Sequence, residues 1–234
     1  MLDLSRFEWL SFDCYGTLID WETGILGYLR PLLQSKARAV GDTRILALYS
    51  EFEPREQAGH YRPYRDVLAN VVRDFAQEFH FEVNDGEAAG LADSIRNWQP
   101  FADTVAGLQR LHSRYKLAVL SNIDDDLFAY TEPKLDVRFD AVVTAQQVRS
   151  YKPSLKNFEA LLERLAIPRE RLLHVAESLY HDVAPAREMG ISTVWVNRRQ
   201  GKAAAASRLS VATPDLEVPT VGQLAELAVP EERR

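Results

Sequence analysis

Asp13 stands where a nucleophile would. It ends an apolar run, Phe7-Glu-Trp-Leu-Ser-Phe12, that reads as a β-strand, and the turn Cys14-Tyr15-Gly16-Thr17 follows it. The C-terminal end of an early strand is where open α/β sheets collect their ligands. A carboxylate there can attack a substrate carbon and carry it as an ester. Taken alone, Asp-x-x-Gly-Thr reads more readily as a loop turn. Three further polar segments reverse that balance: Ser121-Asn122 after Leu117–Leu120, Tyr151-Lys152-Pro153 beyond Ala141–Thr144, and Glu177-Ser178-Leu179-Tyr180-His181-Asp182 after Leu172–Val175. In a parallel sheet these strand ends face one crevice. Carboxylate, hydroxyl, ammonium and carboxylate would then converge.

The elements that must position them follow from periodicity. Segments 22–39, 42–53, 61–80 and 86–98 carry apolar residues at spacings of three and four and read as helices. In the third, Tyr64, Val67, Leu68, Val71, Val72 and Phe75 trace one apolar face. Beyond Pro100 the short runs Leu117–Leu120, Ala141–Thr144, Leu172–Val175 and Ser192–Val196 alternate with helical stretches at 103–114, about 124–130, 155–165 and 182–189. Such alternation predicts a parallel sheet covered by helices on both faces. The expected fold is therefore α/β, a Rossmann-like parallel sheet with an inserted all-helical unit. Residues 1–19 and 99–234 form the sheet unit and 20–98 the insertion. Residues 201–218 read as a surface loop, followed by a short helix near 221–228 and a charged tail.

Composition narrows the function classes. The 234 residues are 46% hydrophobic and 26% charged, an ordinary globular profile. A net charge of −6 argues against nonspecific nucleic-acid binding. The one cysteine, Cys14, allows neither an intrachain disulfide nor a cysteine-rich metal site, and alternation predicts that it packs away from Asp13. No apolar run approaches the roughly 20 residues of a membrane span, and the start Met-Leu-Asp-Leu-Ser-Arg is charged too early for a secretory signal. The expected setting is cytoplasmic, without membrane or nucleic-acid partners. His174 and His181 have no third ligand at metal-binding spacing.

The order Asp13, Ser121-Asn122, Lys152-Pro153, Glu177/Asp182 resembles the haloacid dehalogenase superfamily over nearly the whole chain. Within it, Ser11–Leu18 and Gly190–Arg198 look like the type II 2-haloacid dehalogenases. Cys14–Thr23 and Ala176–Asp182 are also similar to the azetidine-2-carboxylate hydrolases, which open a small strained ring. The resemblance implies that the helical insertion is a cap over the site and that Asp13 attacks C2 of a small carboxylic acid to form an aspartyl ester. It further implies that Asp182 positions or deprotonates the water that cleaves this ester, and that Lys152 keeps Asp13 and Asp182 charged. Thr17, Ser121 and backbone N–H groups near Tyr15 and Asn122 would bind the substrate carboxylate, with Asn122 also near the leaving group. No metal or cofactor is implied. Cap-mediated homodimers occur in that subgroup, and the residues here carry no decisive interface signal.

Most members of the superfamily are phosphatases whose second aspartate protonates the leaving oxygen, and here Tyr15 takes that position. A phenol with a pKa near 10 is a poor acid for that step, whereas a halide leaves without a proton. A Mg²⁺-dependent phosphatase and a catalytically silent binding protein are the other readings. Three departures bear on the dehalogenase reading. Glu177 and Leu179 replace the Ser and Asn of the fourth motif, so Glu177 adds a second acid as base, residual metal ligand or partner for Lys152. Phe158 replaces a Tyr. The cap arginine that cradles halide falls near Arg44 by counting, but helical register suggests Tyr49 in its place. Ring opening produces an amine that must be protonated, a task for Glu177, His181 or a cap residue.

Overall fold

The computed structural model describes residues 2–199 and 211–230. Six parallel strands form one sheet in the order β3-β2-β1-β4-β5-β6. They are β1 Trp9–Phe12, β2 Lys116–Ser121, β3 Ala141–Thr144, β4 Leu172–Ala176, β5 Ser192–Val196 and β6 Leu216–Val218. The strand order reverses between β1 and β4, the switch point at which such sheets open a crevice. Phe12 pairs with Val119 on one side and Val175 on the other. Asp13 and the loops after β2 and β4 therefore leave the sheet at one level.

The helices are α1 Trp21–Ser35, α2 Asp42–Gln57, α3 Tyr64–Glu78, α4 Asp85–Ser94, α5 Thr104–His112, α6 Asp125–Thr131, α7 Ala145–Val148, α8 Leu155–Leu165, α9 Ala184–Glu188 and α10 Val221–Ala228. Successive strand residues point to opposite faces, and the packing shows it. Leu10, Phe12, Leu117, Val119, Leu173 and Val175 join the cluster that contains Leu108 and Leu111 of α5 and Leu224 of α10. Trp9, Ala118, Leu120 and Leu172 join Phe158, Leu161 and Leu165 of α8 and Ala186 of α9. Helices cover both faces, which is why these strands read as unbroken apolar runs.

The chain leaves the sheet layer and returns to it side by side. The Asp20 N–H donates to Gln99 O at 2.9 Å and the Phe101 N–H to Leu18 O at 3.1 Å. Helices α1 to α4 lie between these points. Asp20 caps α1 by accepting from the Thr23 N–H, and Asn84 with Glu87 forms a reciprocal capping box on α4. The six-residue apolar face expected in α3 is buried throughout.

Three elements depart from the sequence reading. Residues 216–218 form β6 at the sheet edge rather than the end of a loop. Residues 201–210 of that expected loop and the tail 231–234 lie outside the described residues. Helix α2 continues past Pro54 to Gln57, although a proline removes a helical hydrogen bond and usually ends the pattern. Residues Leu179–Val183 wind as a π-helix ahead of α9, so Asp182 sits inside a wide turn instead of capping the helix that follows. Among the described residues no helix is long and apolar enough to cross a membrane.

Candidate active site

Asp13 is fixed through both carboxylate oxygens. Lys152 Nζ donates to Oδ1 at 2.9 Å and Thr17 Oγ1 donates to Oδ2 at 2.7 Å. The turn that brings Thr17 under Asp13 depends on Gly16, whose φ of +97° disfavours any side chain and where an added Cβ would meet Trp21 Nε1 at 3.0 Å. Arg198 secures the same turn by donating to Thr17 O at 2.7 Å while paired with Asp103.

The Lys152 ammonium is 2% exposed and makes three bonds: to Asp13, to Asp182 Oδ1 at 2.6 Å and to Leu120 O at 2.9 Å. Its loop is clasped by Asn122, which accepts from the Lys152 N–H at 2.7 Å and donates Nδ2 to Lys152 O at 3.1 Å. Beneath Asp182, His174 contributes Nε2 to Oδ1 at 2.9 Å and bonds Ser11 Oγ through Nδ1 at 2.8 Å. Burial works against the Lys152 ammonium, but Asp13 and Asp182 outweigh it and hold its pKa above the ordinary value. Burial also works against the Asp182 charge, and Lys152 with His174 outweighs it, so that carboxyl lies below its usual range. For Asp13 burial prevails: its carboxyl is raised, with Lys152 opposing and the Asp182 charge adding. Two carboxylates with unlike environments share one cation, the arrangement that separates a nucleophile from a water-positioning group.

These residues floor a cavity of about 40 Å³, room for roughly three waters. Its lower wall also includes Tyr15, Ser121, Glu177, Ser178 and His181, and its upper wall is Trp21, Glu53 and Tyr64 from α1, α2 and α3. Ser121 lines the cavity, and its Oγ is buried with no hydrogen-bond partner among the described residues. Tyr15 OH is engaged with Thr131 Oγ1 at 2.8 Å, and burial pushes its phenol well above the usual value. It is a still weaker acid than a free phenol.

The structure thus gathers Asp13, Tyr15, Ser121, Asn122, Lys152, Glu177 and Asp182 around one space. Thr17 is different. It was expected to bind the substrate carboxylate, but it is fully buried and does not line the cavity. Its oxygen donates to Asp13 and accepts the Glu177 N–H at 2.8 Å, so it orients the Asp13 carboxylate. The Asn122 side chain, expected near the leaving group, is engaged by the Lys152 backbone. Glu177 pairs with Arg199 at 3.6 Å rather than with Lys152. Cys14 is buried in the core. Arg44 binds Glu78 on an exposed face, and Tyr49 is buried behind the wall with its hydroxyl 3.1 Å from that of Tyr64. Among the described residues no group of three or more His, Cys, Asp or Glu is arranged to hold a metal ion.

Sequence reasoning missed Glu53, Asp124 and the role of His174, and read Tyr64 as part of the apolar face of its helix. Glu53 had a legible signal: it lies four residues beyond Tyr49 and eight beyond Ile45, on the buried face of α2. Ending the helix at 53, just before Pro54, hid that face. Asp124 accepts the Tyr64 N–H at 2.9 Å and the Arg65 N–H at 3.0 Å, tying the start of α3 to the loop after β2. That long-range cap has no local sequence signature.

An aspartate at the switch point of a doubly wound sheet, sharing a buried lysine with a second aspartate, defines an enzyme class with a carboxylate nucleophile. The chain belongs to the haloacid dehalogenase-like hydrolases, whose family model matches residues 8–190. It is 25% identical over 230 residues to haloacetate dehalogenase H-2 of Moraxella sp. (strain B), covering 96% of this chain and 99% of that protein. It is also 25% identical over 226 residues to (S)-2-haloacid dehalogenase H-109 of Pseudomonas putida, covering 95% and 98%. The L-2-haloacid dehalogenase of Xanthobacter autotrophicus with chloropropionic acid covalently bound shares the fold, with a TM-score of 0.80 at 20% identity over 97% of this chain and 100% of that one.

Proposed function

We propose that this enzyme hydrolyses a small 2-halocarboxylate to the 2-hydroxy acid through an ester on Asp13, with helices α1 to α4 as the cap that closes the site. The observation that carries the reading is the pair of bonds on Asp13, one from Lys152 and one from Thr17, which leaves a charged, oriented carboxylate at the floor of a small cavity. In the first step an Asp13 oxygen attacks C2 in line and the halide leaves toward the cap. Ser121 Oγ, with the backbone N–H groups of Tyr15 and Asn122, receives the substrate carboxylate. In the second step water attacks the ester carbonyl of Asp13. The one Asp182 oxygen committed within the chain is Oδ1, taken by Lys152 and His174, so Oδ2 is available to orient that water and take its proton. Asp13 is released with the 2-hydroxy acid. Tyr15, at the place of the phosphatase acid, removes the proton donor that a phosphate ester would need, while a halide needs none. The relatives named for haloacetate and 2-haloacid dehalogenation support the same chemistry.

The test is product formation. 2-Chloropropionate is expected to give chloride and lactate in equal amounts, and a single turnover in H₂¹⁸O with enzyme in excess should place the label in Asp13. Asp13→Ala should abolish chloride release. Inertness toward 2-haloacids combined with Mg²⁺-dependent p-nitrophenyl phosphate hydrolysis would overturn the reading. Glu177, a carboxylate on the cavity wall, favours a second reading, opening of azetidine-2-carboxylate, whose protonated ring nitrogen it would attract. Azetidine-2-carboxylate therefore belongs in the same assay.

A further inference from the structure

The upper wall of the cavity contradicts simple halide chemistry. In an in-line displacement the leaving atom departs on the side of C2 opposite the nucleophile. Asp13 rises from the floor, so that side is the wall formed by Trp21, Glu53 and Tyr64. A departing chloride or bromide is best met there by a cation, yet among the described residues no arginine lines this cavity. A glutamate does.

Glu53 is 6% exposed. Its partners, the Tyr64 hydroxyl at 3.1 Å and Gln57 Nε2, both bond Oε1; among the described residues Oε2 has no hydrogen-bond partner, and the residue lines the cavity. Among the described residues, the side chains that bond Glu53 carry no positive charge. Tyr49 and Gln57 on α2, Tyr64 on α3 and Tyr151 from the Lys152 loop are neutral. Across the cavity Asp13 and Asp182 share Lys152, a net charge of one negative, with Glu177 and His181 at the side. Burial raises the Glu53 carboxyl to about 7, and an entering substrate carboxylate would push it higher still. Near neutral pH the free Glu53 carboxyl is therefore partly protonated, and binding of an anionic substrate draws it toward the neutral acid, with a proton to offer.

We propose that Glu53 donates a hydrogen bond from its carboxyl group to the atom leaving C2, and so selects small 2-substituted acids whose leaving atom accepts a hydrogen bond strongly, fluorine ahead of chlorine or bromine. This inference rests on the reading of the site as one that displaces a group from C2. The Asp13 oxygen forms the bond to C2 as the C2–F bond breaks. The electron pair of that bond goes to fluorine, and fluoride leaves hydrogen-bonded to Glu53. A ring nitrogen enters already protonated, takes the electron pair of the breaking C2–N bond and leaves as the neutral amine without a proton from Glu53.

Two measurements test this. The first compares wild type, Glu53→Gln and Glu53→Ala on 2-bromo-, 2-chloro- and 2-fluoropropionate and on azetidine-2-carboxylate. Loss of the donor should lower kcat for the fluoro substrate by about 10²–10³-fold, as for other donors to a developing charge, and for the bromo and azetidine substrates by only a few-fold. Glu53→Gln, nearly isosteric, guards against a folding defect. Equal losses across the series would reduce Glu53 to a structural residue and overturn the proposal. The second measures proton uptake by calorimetry, in two buffers at pH 7.5, when unreactive lactate binds. Wild type should take up a proton that Glu53→Gln does not; absence of that difference overturns the proposal whatever the turnover. If wild type displaces nothing from any of the four acids, the C2-displacement reading fails and the donor role falls with it, whereas turnover with equal losses across the series overturns the donor role alone.

Discussion

Two hydroxyls near Asp13 do opposite work. Thr17 Oγ1 is committed inside the chain, to Asp13 on one side and the Glu177 N–H on the other. Ser121 lines the cavity, and its buried Oγ has no partner among the described residues. A buried polar atom without a partner costs free energy unless a ligand supplies one. Thr17→Val should therefore act on kcat: it frees Asp13 to rotate and removes a hydrogen bond to a charged group, about 1.5–3 kcal/mol or roughly 10–100-fold. KM should stay within about twofold. Ser121→Ala should act on KM, raising it about 10-fold or more because a bond to the substrate carboxylate is lost. Steady-state kinetics of both variants on one substrate checks the division. A KM effect from Thr17→Val would return Thr17 to the role of substrate ligand.

At the scale of elements, what the sequence made legible depended on how local its cause was. The strands β3 and β5, the helices α8 and α10 and the apolar face of α3 match their expected limits because period and caps lie within each segment. Strand β6 did not show, since three residues carry no period and its pairing partner Val194–Val196 lies some twenty residues away. The floor of the site was legible because its four motifs follow strand ends in order. Its upper wall was not, because Glu53 and Tyr64 gain their roles only when α2 and α3 fold back over the sheet. Asp124 holds that arrangement, capping α3 from the far side of the cavity at both Tyr64 and Arg65. Tyr151 adds a second tie by donating to Arg62 O at 2.8 Å. Removing a helix N-cap costs about 0.5–2 kcal/mol, or roughly 1–8 °C in melting temperature for a chain of this size. Asp124→Ala should show that loss together with a raised KM, because Glu53 and Tyr64 are no longer held over Asp13. Asp124→Asn, which keeps a capping oxygen, should recover most of both. A lower melting temperature with unchanged KM would mean that the cap stabilises α3 without positioning the wall.

At the scale of the whole molecule, the buried carboxylates pull stability in opposite directions with pH. Asp182 lies below its unfolded value, so its stabilisation is present above pH 4 or so and is lost as pH falls through the depressed folded value. Glu53 is raised from 4.5 to about 7. Its neutral form is the one the fold prefers, so its contribution is full below its unfolded pKa and is lost as pH rises toward 7. A shift of that size corresponds to at most about 3 kcal/mol, a large share of the roughly 5–15 kcal/mol that holds a domain together. Raised Asp13 acts in the same sense as Glu53. The expectation is a protein most stable in mildly acidic solution, with a melting temperature that declines between about pH 5 and pH 7.5. Glu53→Gln keeps the shape of the side chain and removes the ionisation, so it should be more stable than wild type at pH 7.5 and converge with it near pH 5. Thermal unfolding of both proteins across that range is the measurement. Parallel curves for the two would mean that Glu53 is charged in the folded protein, and that the wall over Asp13 is anionic rather than proton-donating.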